Sequence, residues 1–282
     1  MKQGILKDII KVMNISGNNS SPIDKLVVLQ FDEVKVAYQY EYDKANDIVM
    51  GPYNQMQIVL VRGLVAKWKQ QVFIDFDKKM TDEILTNIIG ELYNVGYTVV
   101  ACVCDCGGGN MGLWKKLNIN IDNTAFSHPN TGDPIFMFAD APHLLKLIRN
   151  WLIDAGFIMG DGNIVTKWPI QELLKITQSE VSSCYQLTKN HLDCIKTQRQ
   201  NVLLAAQLMS HSIGTALKHY LPETDKNMAV DTGDFILLVN KWFDVMNSSN
   251  VCAAIPTKRP FGLHLEEQKT ILQEVIKVFL NM

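Results

Sequence analysis

Two aspartates each follow an apolar run, a position in which carboxylates can bind metal ions. Asp32 ends the run Leu26–Phe31, and Asp105 ends the run Thr98–Cys104. Apolar runs of this length predict strands that are buried on both faces. The carboxyl end of a central strand is a common place for chemistry in α/β proteins. If the two carboxylates meet, they would offer hard oxygen ligands to Mg²⁺ or Mn²⁺, the ions that serve phosphoryl transfer.

The order of the predicted elements decides whether these aspartates meet. The predicted strands are 26–31 running into an alternating strand over 34–42, then 57–62, 67–76, 98–104 and 135–138. A helix capped by Thr81 precedes the fourth strand, and a short helix at Trp114 follows it. Three strands, a helix, a strand, a short helix and a strand is the ribonuclease H-like order, in which strands one and four pair at the sheet centre. The order therefore predicts that Asp32 and Asp105 are neighbours.

Beyond about residue 155 the sequence predicts mostly helices. They span residues 169–177, 200–220, 232–247 and 265–280. The second is apolar around most of its circumference, which predicts the buried centre of an all-α unit. The fold class we expect is α/β, a ribonuclease H-like mixed sheet with an α-helical insertion domain. The predicted boundaries are an N-terminal helix and linker over 1–24, the sheet domain over 25–140 and the helical domain over 141–282.

Composition excludes several classes of protein. The 282 residues are 47% hydrophobic and 20% charged with a net charge of −2, which is globular and carries no global basic signature. No apolar run reaches about 18 residues and no signal-peptide segment is seen, so we expect no membrane partner. Three of the six cysteines are Cys102, Cys104 and Cys106, which we interpret as reduced core thiols because one strand face cannot surround zinc.

One competing motif is present. Residues 107–112 (GGGNMG) satisfy G-x-G-x-x-G after a strand and before a helix, the pattern of dinucleotide-binding oxidoreductases. Against it, Asp105 would repel a pyrophosphate, and no acidic residue closes a second strand about 20 residues on. We keep the oxidoreductase as the weakest hypothesis.

Several short blocks of residues form a specific family pattern when their order and spacing are taken together. They are Phe31-Asp32-Glu33-Val34-Lys35, Asp105 with Asn110 and Leu113-Trp114-Lys115, Phe138 to Asn150, Leu187 to Leu192, Asn201-Val202, and Trp242 to Ser248. The blocks resemble the P-element transposases, a family that includes vertebrate THAP-domain relatives. The resemblance covers about residues 25–282.

The resemblance implies a metal-dependent nuclease site. The family's two catalytic aspartates correspond to Asp32 and Asp105. Its catalytic glutamate follows the insertion in an Asn-Gln-Asp motif that this sequence lacks, and Glu266, Glu267 and Glu274 lie on a helix that resembles the insertion itself. The zinc-dependent THAP domain and the coiled coil of the family also have no counterpart in these residues. We therefore expect a fragment of an active enzyme or a truncated descendant.

The resemblance also implies a guanine nucleotide site at Phe243, Asp244 and Asn247, with Lys189 and Val202 nearby. A carboxylate can accept both hydrogens of the guanine N1–H and N2–H₂ edge, an asparagine three residues on shares its helical face, and a phenyl ring offers a stacking plane. No P-loop motif is present, so we expect GTP to bind as a structural cofactor without turnover.

The function that we predict is that of a P-element-type DNA transposase polypeptide with Mg²⁺ (or Mn²⁺) and GTP as cofactors. Its expected partners are transposon-end DNA and guanine nucleotide, its expected location is the nucleus, and a homo-oligomer is left open. The alternative from another class is a domesticated DNA- and GTP-binding protein without nuclease activity.

Overall fold

The computed structural model describes residues 3–177, 186–221, 226–248 and 250–282. The chain forms two compact units, Met1–Asp140 and Ala141–Met282. The first contains a seven-stranded mixed sheet, and the second is mostly helical. This confirms the predicted α/β architecture of a mixed sheet accompanied by a helical unit.

The sheet of the first unit combines parallel and antiparallel strands. Its strands, in chain order, are β1 (Gly4–Ile5), β2 (Leu26–Lys35), β5 (Gln55–Gly63), β6 (Lys69–Phe76), β7 (Thr98–Cys104), β8 (Ala125–Ser127) and β9 (Pro134–Ala139). Their spatial order is β1-β6-β5-β2-β7-β9-β8, and the two remaining strands, β3 (Glu41–Asp43) and β4 (Ile48–Met50), form a separate hairpin. The first and fourth predicted strands, β2 and β7, pair in parallel at the centre, as expected.

One face of the sheet carries the hydrophobic core. Along β2 the side chains of Val27, Leu29 and Phe31 are buried, while their neighbours are less buried, because successive side chains point to opposite faces. Three helices contribute to that core: α1 (Lys7–Gly17), α2 (Asp82–Asn94) and α3 (Gly108–Lys116). Burial of each large aliphatic side chain in such a core contributes about 1.5–3 kcal/mol.

The N-terminal residues join this unit. Strand β1 pairs with β6, and the hydroxyl of Tyr97 donates a hydrogen bond of 3.0 Å to the carbonyl of Met13 in α1. Within the segment that we predicted as a helix with a linker, residues 1–24, strand β1 and helix α1 thus pack against this unit.

The alternating continuation of the first predicted strand does not form as expected. We predicted an alternating strand over Val34–Tyr42, but β2 ends at Lys35, and the chain then leaves the sheet to form the β3–β4 hairpin. The last cross-strand contact is the hydrogen bond from Val36 N to Asn54 O, at 3.1 Å. Alternation of polar and apolar residues here reflects a solvent-exposed hairpin, so the prediction was wrong at this point.

The second unit is built from helices of different lengths. They are α4 (Ala141–Asp154), α5 (Trp168–Thr177), α6 (Lys189–Leu192), α7 (Val202–Leu208), α8 (His211–Tyr220), α9 (Lys226–Met246) and α10 (Leu265–Leu280), with the short strands β10 (Phe157–Ile158) and β11 (Ile164–Val165). The single helix predicted over 200–220 is wrong, because α7 and α8 are separate. The chain breaks between α7 and α8 at Ser210, whose hydroxyl accepts a hydrogen bond from Ile213 N and caps the start of α8.

Helices α8 and α9 approach each other closely at two glycines. A Cβ on Gly214 would lie 2.7 Å from Cγ of Leu237, and a Cβ on Gly233 would lie 2.7 Å from the carbonyl oxygen of Gly214. Neither position has room for a side chain, so the two glycines set how closely these helices pack.

Candidate functional site

The strand register brings the two predicted metal ligands together. In the parallel pair β2 and β7, Phe31 is opposite Cys104, so Asp32 and Asp105 are the next residue on each strand. Neighbouring strands lie about 4.8 Å apart. Both aspartates therefore lie at the same edge of the sheet, Asp105 directly after β7 and Asp32 within β2, which continues to Lys35.

The carboxylate of Asp105 is held by the loop that follows it. Its Oδ1 accepts hydrogen bonds from Gly107 N at 2.9 Å and from Nδ2 of Asn110 at 2.7 Å. Asn110 is 7% exposed, so its amide is fixed within α3. Within the described residues no hydrogen bond is made to Oδ2 of Asp105.

The glycines beside Asp105 have a local steric role. A Cβ on Gly107 would lie 3.0 Å from Oδ1 of Asp105, tighter than most real contacts, and the N–H of Gly107 already donates to that oxygen. This N–H is therefore not available to a pyrophosphate. The geometry removes the main support for the dinucleotide hypothesis.

The main chain at Asp32 is fixed by a side chain from the neighbouring strand. Gln57, which is 2% exposed, donates from Nε2 to the carbonyl of Asp32 at 3.2 Å. The carboxylate Oδ1 of Asp32 accepts from Glu33 N at 2.8 Å. Buried polar side chains such as Gln57 give no clear signal in a single sequence, since the strand pattern alone predicts an apolar residue there.

Burial and the negative charges of the aspartates at this edge raise the pKa of two nearby thiols, Cys104 and Cys106. Burial raises the pKa of Cys104 to about 12, a hydrogen bond from Trp114 opposes that rise, and the charges of Asp105 and Asp32 add to it. Burial also raises the pKa of Cys106, helped by the charges of Asp105 and Asp140. Both aspartates thus act on the same thiol, as expected for neighbouring carboxylates.

The donors at this edge suit a divalent cation. Asp32 and Asp105 supply carboxylate oxygens, which Mg²⁺ and Mn²⁺ prefer. The main-chain N–H of Gly107 and the side-chain amide of Asn110 both donate to Oδ1 of Asp105 and so orient this carboxylate. Over residues 3–177, 186–221, 226–248 and 250–282, no group of three or more His, Cys, Asp or Glu is arranged to hold a metal. The described part of the chain therefore offers two carboxylates to such an ion.

A second candidate site lies at the end of α9. A cavity of about 310 Å³ is lined by Phe243, Asp244, Asn247, Ser248, Asn250, Ala253 and Lys258. Three of these residues were predicted to hold guanine, and they share the cavity because positions three and four apart lie on one helical face. The structure adds Ser248, Asn250, Ala253 and Lys258, which follow the helix and were not predicted to hold the nucleotide.

The carboxylate of Asp244 is partly withdrawn from water. Burial raises its pKa, while Lys258 and His211 act to lower it. The ammonium of Lys258 lies 3.8 Å from Oδ1 of Asp244, the distance of a loose ion pair. A group that donates two hydrogens, such as the guanine edge, would replace this weak pairing with two directed hydrogen bonds.

The other two predicted nucleotide residues lie elsewhere in the second unit. Lys189 begins α6 and Val202 begins α7. Neither belongs to the lining of the cavity around Asp244. Their assignment to the nucleotide stays a prediction.

Comparison with known families gives two matches that together span most of the chain. The family described as "TNP-like, RNase H N-terminal domain" matches residues 1–118, and "TNP-like, GTP-binding insertion domain" matches residues 142–260. Both agree with the predicted ribonuclease H-like sheet and helical insertion. In the described part of the chain, no helix has the length and apolar character needed to cross a bilayer.

Individual relatives are similar over longer stretches. "Transposable element P transposase" of Drosophila melanogaster is 39% identical over 282 residues, 99% of this chain and 37% of the relative. "DNA transposase THAP9" of Homo sapiens is 28% identical over 205 residues, 68% of this chain and 22% of the relative. The solved "Drosophila P element transposase strand transfer complex" superposes with a TM-score of 0.90 at 38% identity, covering 99% of this chain and 63% of that one. The chain thus spans well under half the length of these two curated relatives.

Proposed function

This chain belongs to the P-element transposase family, and on that premise we propose that it is a DNA transposase polypeptide that acts on transposon-end DNA. The observation that carries the proposal is the parallel register of β2 and β7, which directs Asp32 and Asp105 to one sheet edge. The similar solved structure is by its title a strand transfer complex, which supports DNA as the substrate.

Asp32 and Asp105 would hold Mg²⁺ or Mn²⁺ at this edge. When bound there, such ions activate an attacking oxygen and stabilise a leaving one in phosphoryl transfer. The chain's own contribution is orientation, because Asn110 and Gly107 fix one oxygen of Asp105 and Gln57 fixes the main chain of Asp32.

Guanine nucleotide would occupy the cavity at the end of α9. Asp244 accepts hydrogens from the guanine edge, Asn247 donates from the same helical face, and Phe243 lies against the base. Lys189 and Val202 would contribute to a larger nucleotide site. We propose GTP as a structural cofactor that is bound without being hydrolysed, because no P-loop is present.

A strand-transfer assay tests the proposed function. The purified chain is incubated with Mn²⁺, a labelled duplex that ends in a free 3′-hydroxyl, and a supercoiled plasmid target. Any joining of the duplex to the plasmid by the wild-type chain should be lost in Asp32→Asn, in Asp105→Asn and in the double variant, while DNA retention on a filter is unchanged. Joining that persists in the double variant would contradict the assignment of the aspartates.

A second candidate function is a DNA- and GTP-binding protein without nuclease activity. The observation that favours it is the pair of carboxylates, since the described residues hold no larger metal-binding group. In the same assay, DNA retention and GTP binding without any joining by the wild-type chain would select this candidate. Either function places the protein on chromosomal DNA, so we propose a nuclear location, and the homo-oligomer stays open.

A further inference from the structure

The hairpin that follows β2 encloses a cavity that the proposed function does not use. Its volume is about 400 Å³. It is lined by Val36, Ala37, Gln39, Glu41, Tyr42, Asp43, Met50, Tyr53 and Phe76. Neither Asp32 nor Asp105 belongs to this lining, so the cavity is separate from the carboxylate pair.

Aromatic rings form much of the cavity wall. Tyr53 and Phe76 stack with ring centroids 4.5 Å apart and an angle of 16° between their planes. The hydroxyl of Tyr42 donates to Asp47, and the hydroxyl of Tyr53 accepts from Nε2 of Gln3 at 3.2 Å. The faces of such rings carry negative charge and attract organic cations.

The charged side chains in the cavity lining are negative, as are the faces of the aromatic rings. Glu41 contributes a carboxylate, and among the described residues that line the cavity none is basic. The sequence of residues 36–54 contains three carboxylates and one lysine, which gives a formal net charge of −2. Phosphate groups are repelled by such a field, whereas an ammonium or guanidinium is attracted.

We propose that this cavity binds a basic segment of a partner polypeptide, with one lysine or arginine side chain between Tyr42 and the Tyr53–Phe76 stack. The side chain's aliphatic stem lies against the rings, and its cation lies near the Glu41 carboxylate. This interaction surface is independent of the nuclease and nucleotide sites.

Three fluorescent peptides test the proposal. They are eight residues long, with glycine alternating with lysine, norleucine or glutamate, and their binding to the full chain is followed by anisotropy. The lysine peptide should bind at least about ten-fold more tightly than the other two, because only it offers a cation. Equal binding of the norleucine peptide would overturn the proposal, since it would show apolar docking alone.

Point variants locate the site. Tyr42→Leu and Glu41→Gln should each weaken lysine-peptide binding by about two- to five-fold, since exposed cation–π and charge contacts have this size. Tyr38→Leu is the matched control, because Tyr38 is exposed in the segment that leads into the hairpin but does not line the cavity. Equal losses in the control, or no loss in Tyr42→Leu, would refute the cavity as the site. A 20-nucleotide single strand that binds in place of the peptide and is weakened by Tyr42→Leu would show a nucleic-acid surface instead.

Discussion

Removing the amide of Asn110 is the sharpest test of how the carboxylate edge is organised. Asn110→Ala deletes the 2.7 Å hydrogen bond to Oδ1 of Asp105 and leaves only the backbone donor of Gly107. A hydrogen bond to a charged group contributes about 1.5–3 kcal/mol. Loss of a partner that orients a metal ligand typically lowers metal affinity by about 10- to 100-fold. We expect Mn²⁺ affinity to fall within this range.

The measurement is a calorimetric titration of Mn²⁺ into wild type and variant, with circular dichroism to confirm folding. Asn46→Ala is the control, because Nδ2 of Asn46 donates to Asp43 over the same 2.7 Å but in the hairpin. It should leave Mn²⁺ affinity within about two-fold, since the hairpin contributes no ligand to the carboxylate pair. Equal affinities for wild type and Asn110→Ala would refute the reasoning that Asn110 orients Asp105.

A second variant at the same position, Asn110→Asp, replaces the hydrogen-bond donor with a repelling charge. Asn110→Asp places a second carboxylate against Asp105, and like charges at hydrogen-bond distance repel. The metal-free variant should unfold at lower denaturant concentration than wild type, and saturating Mn²⁺ should reduce the difference because the cation offsets the repulsion. A deficit that Mn²⁺ leaves unchanged would mean that the ion does not bind at this pair.

Further outcomes concern the stability and the nucleotide site of the helical unit. Gly214→Ala should lower the free energy of unfolding by about 1–3 kcal/mol through overpacking, while Gly112→Ala in α3 of the first unit, with open space around it, should be neutral or stabilising in a denaturant titration. Asp244→Ala should abolish guanine nucleotide binding in a fluorescence titration. Because burial raises the pKa of Asp244 and guanine needs the ionised form, wild-type affinity should fall on acidification already above pH 3.8, the ordinary value, and constant affinity there would count against the assignment. Arg149→Leu should cost about 2–4 kcal/mol, because this fully buried guanidinium donates to Cys194 Sγ and two main-chain carbonyls, and an unchanged unfolding midpoint would disprove that role.

Local pattern was a good guide where one physical signal dominated. The strand before Asp105 and the helix Leu265–Leu280 formed with the predicted ends or within a residue of them. Both combine a strong apolar period with clear flanking residues. Two elements were mispredicted where signals conflicted: residues 34–42 alternate as a strand does, and residues 200–220 are apolar enough for one helix. In these cases the exposed hairpin and the Ser210 cap overrode the periodicity.

The sequence by itself determined the residue types of the two sites and the order of the elements. Local sequence was sufficient to place Asp105 directly after a strand and to place Asp244 and Asn247 on one helical face, because both relations are local in the chain. Asp32, predicted at the end of the apolar run, lies within β2, which continues to Lys35. Only the tertiary structure decided which groups support them. Asn110 packs on Asp105, Gln57 reaches Asp32 from another strand, and Lys258 meets Asp244 across a turn. The contacts of Gln57 and Lys258 join residues at least 14 positions apart, and only the packing of strands and helices brings such residues within hydrogen-bond or ion-pair distance.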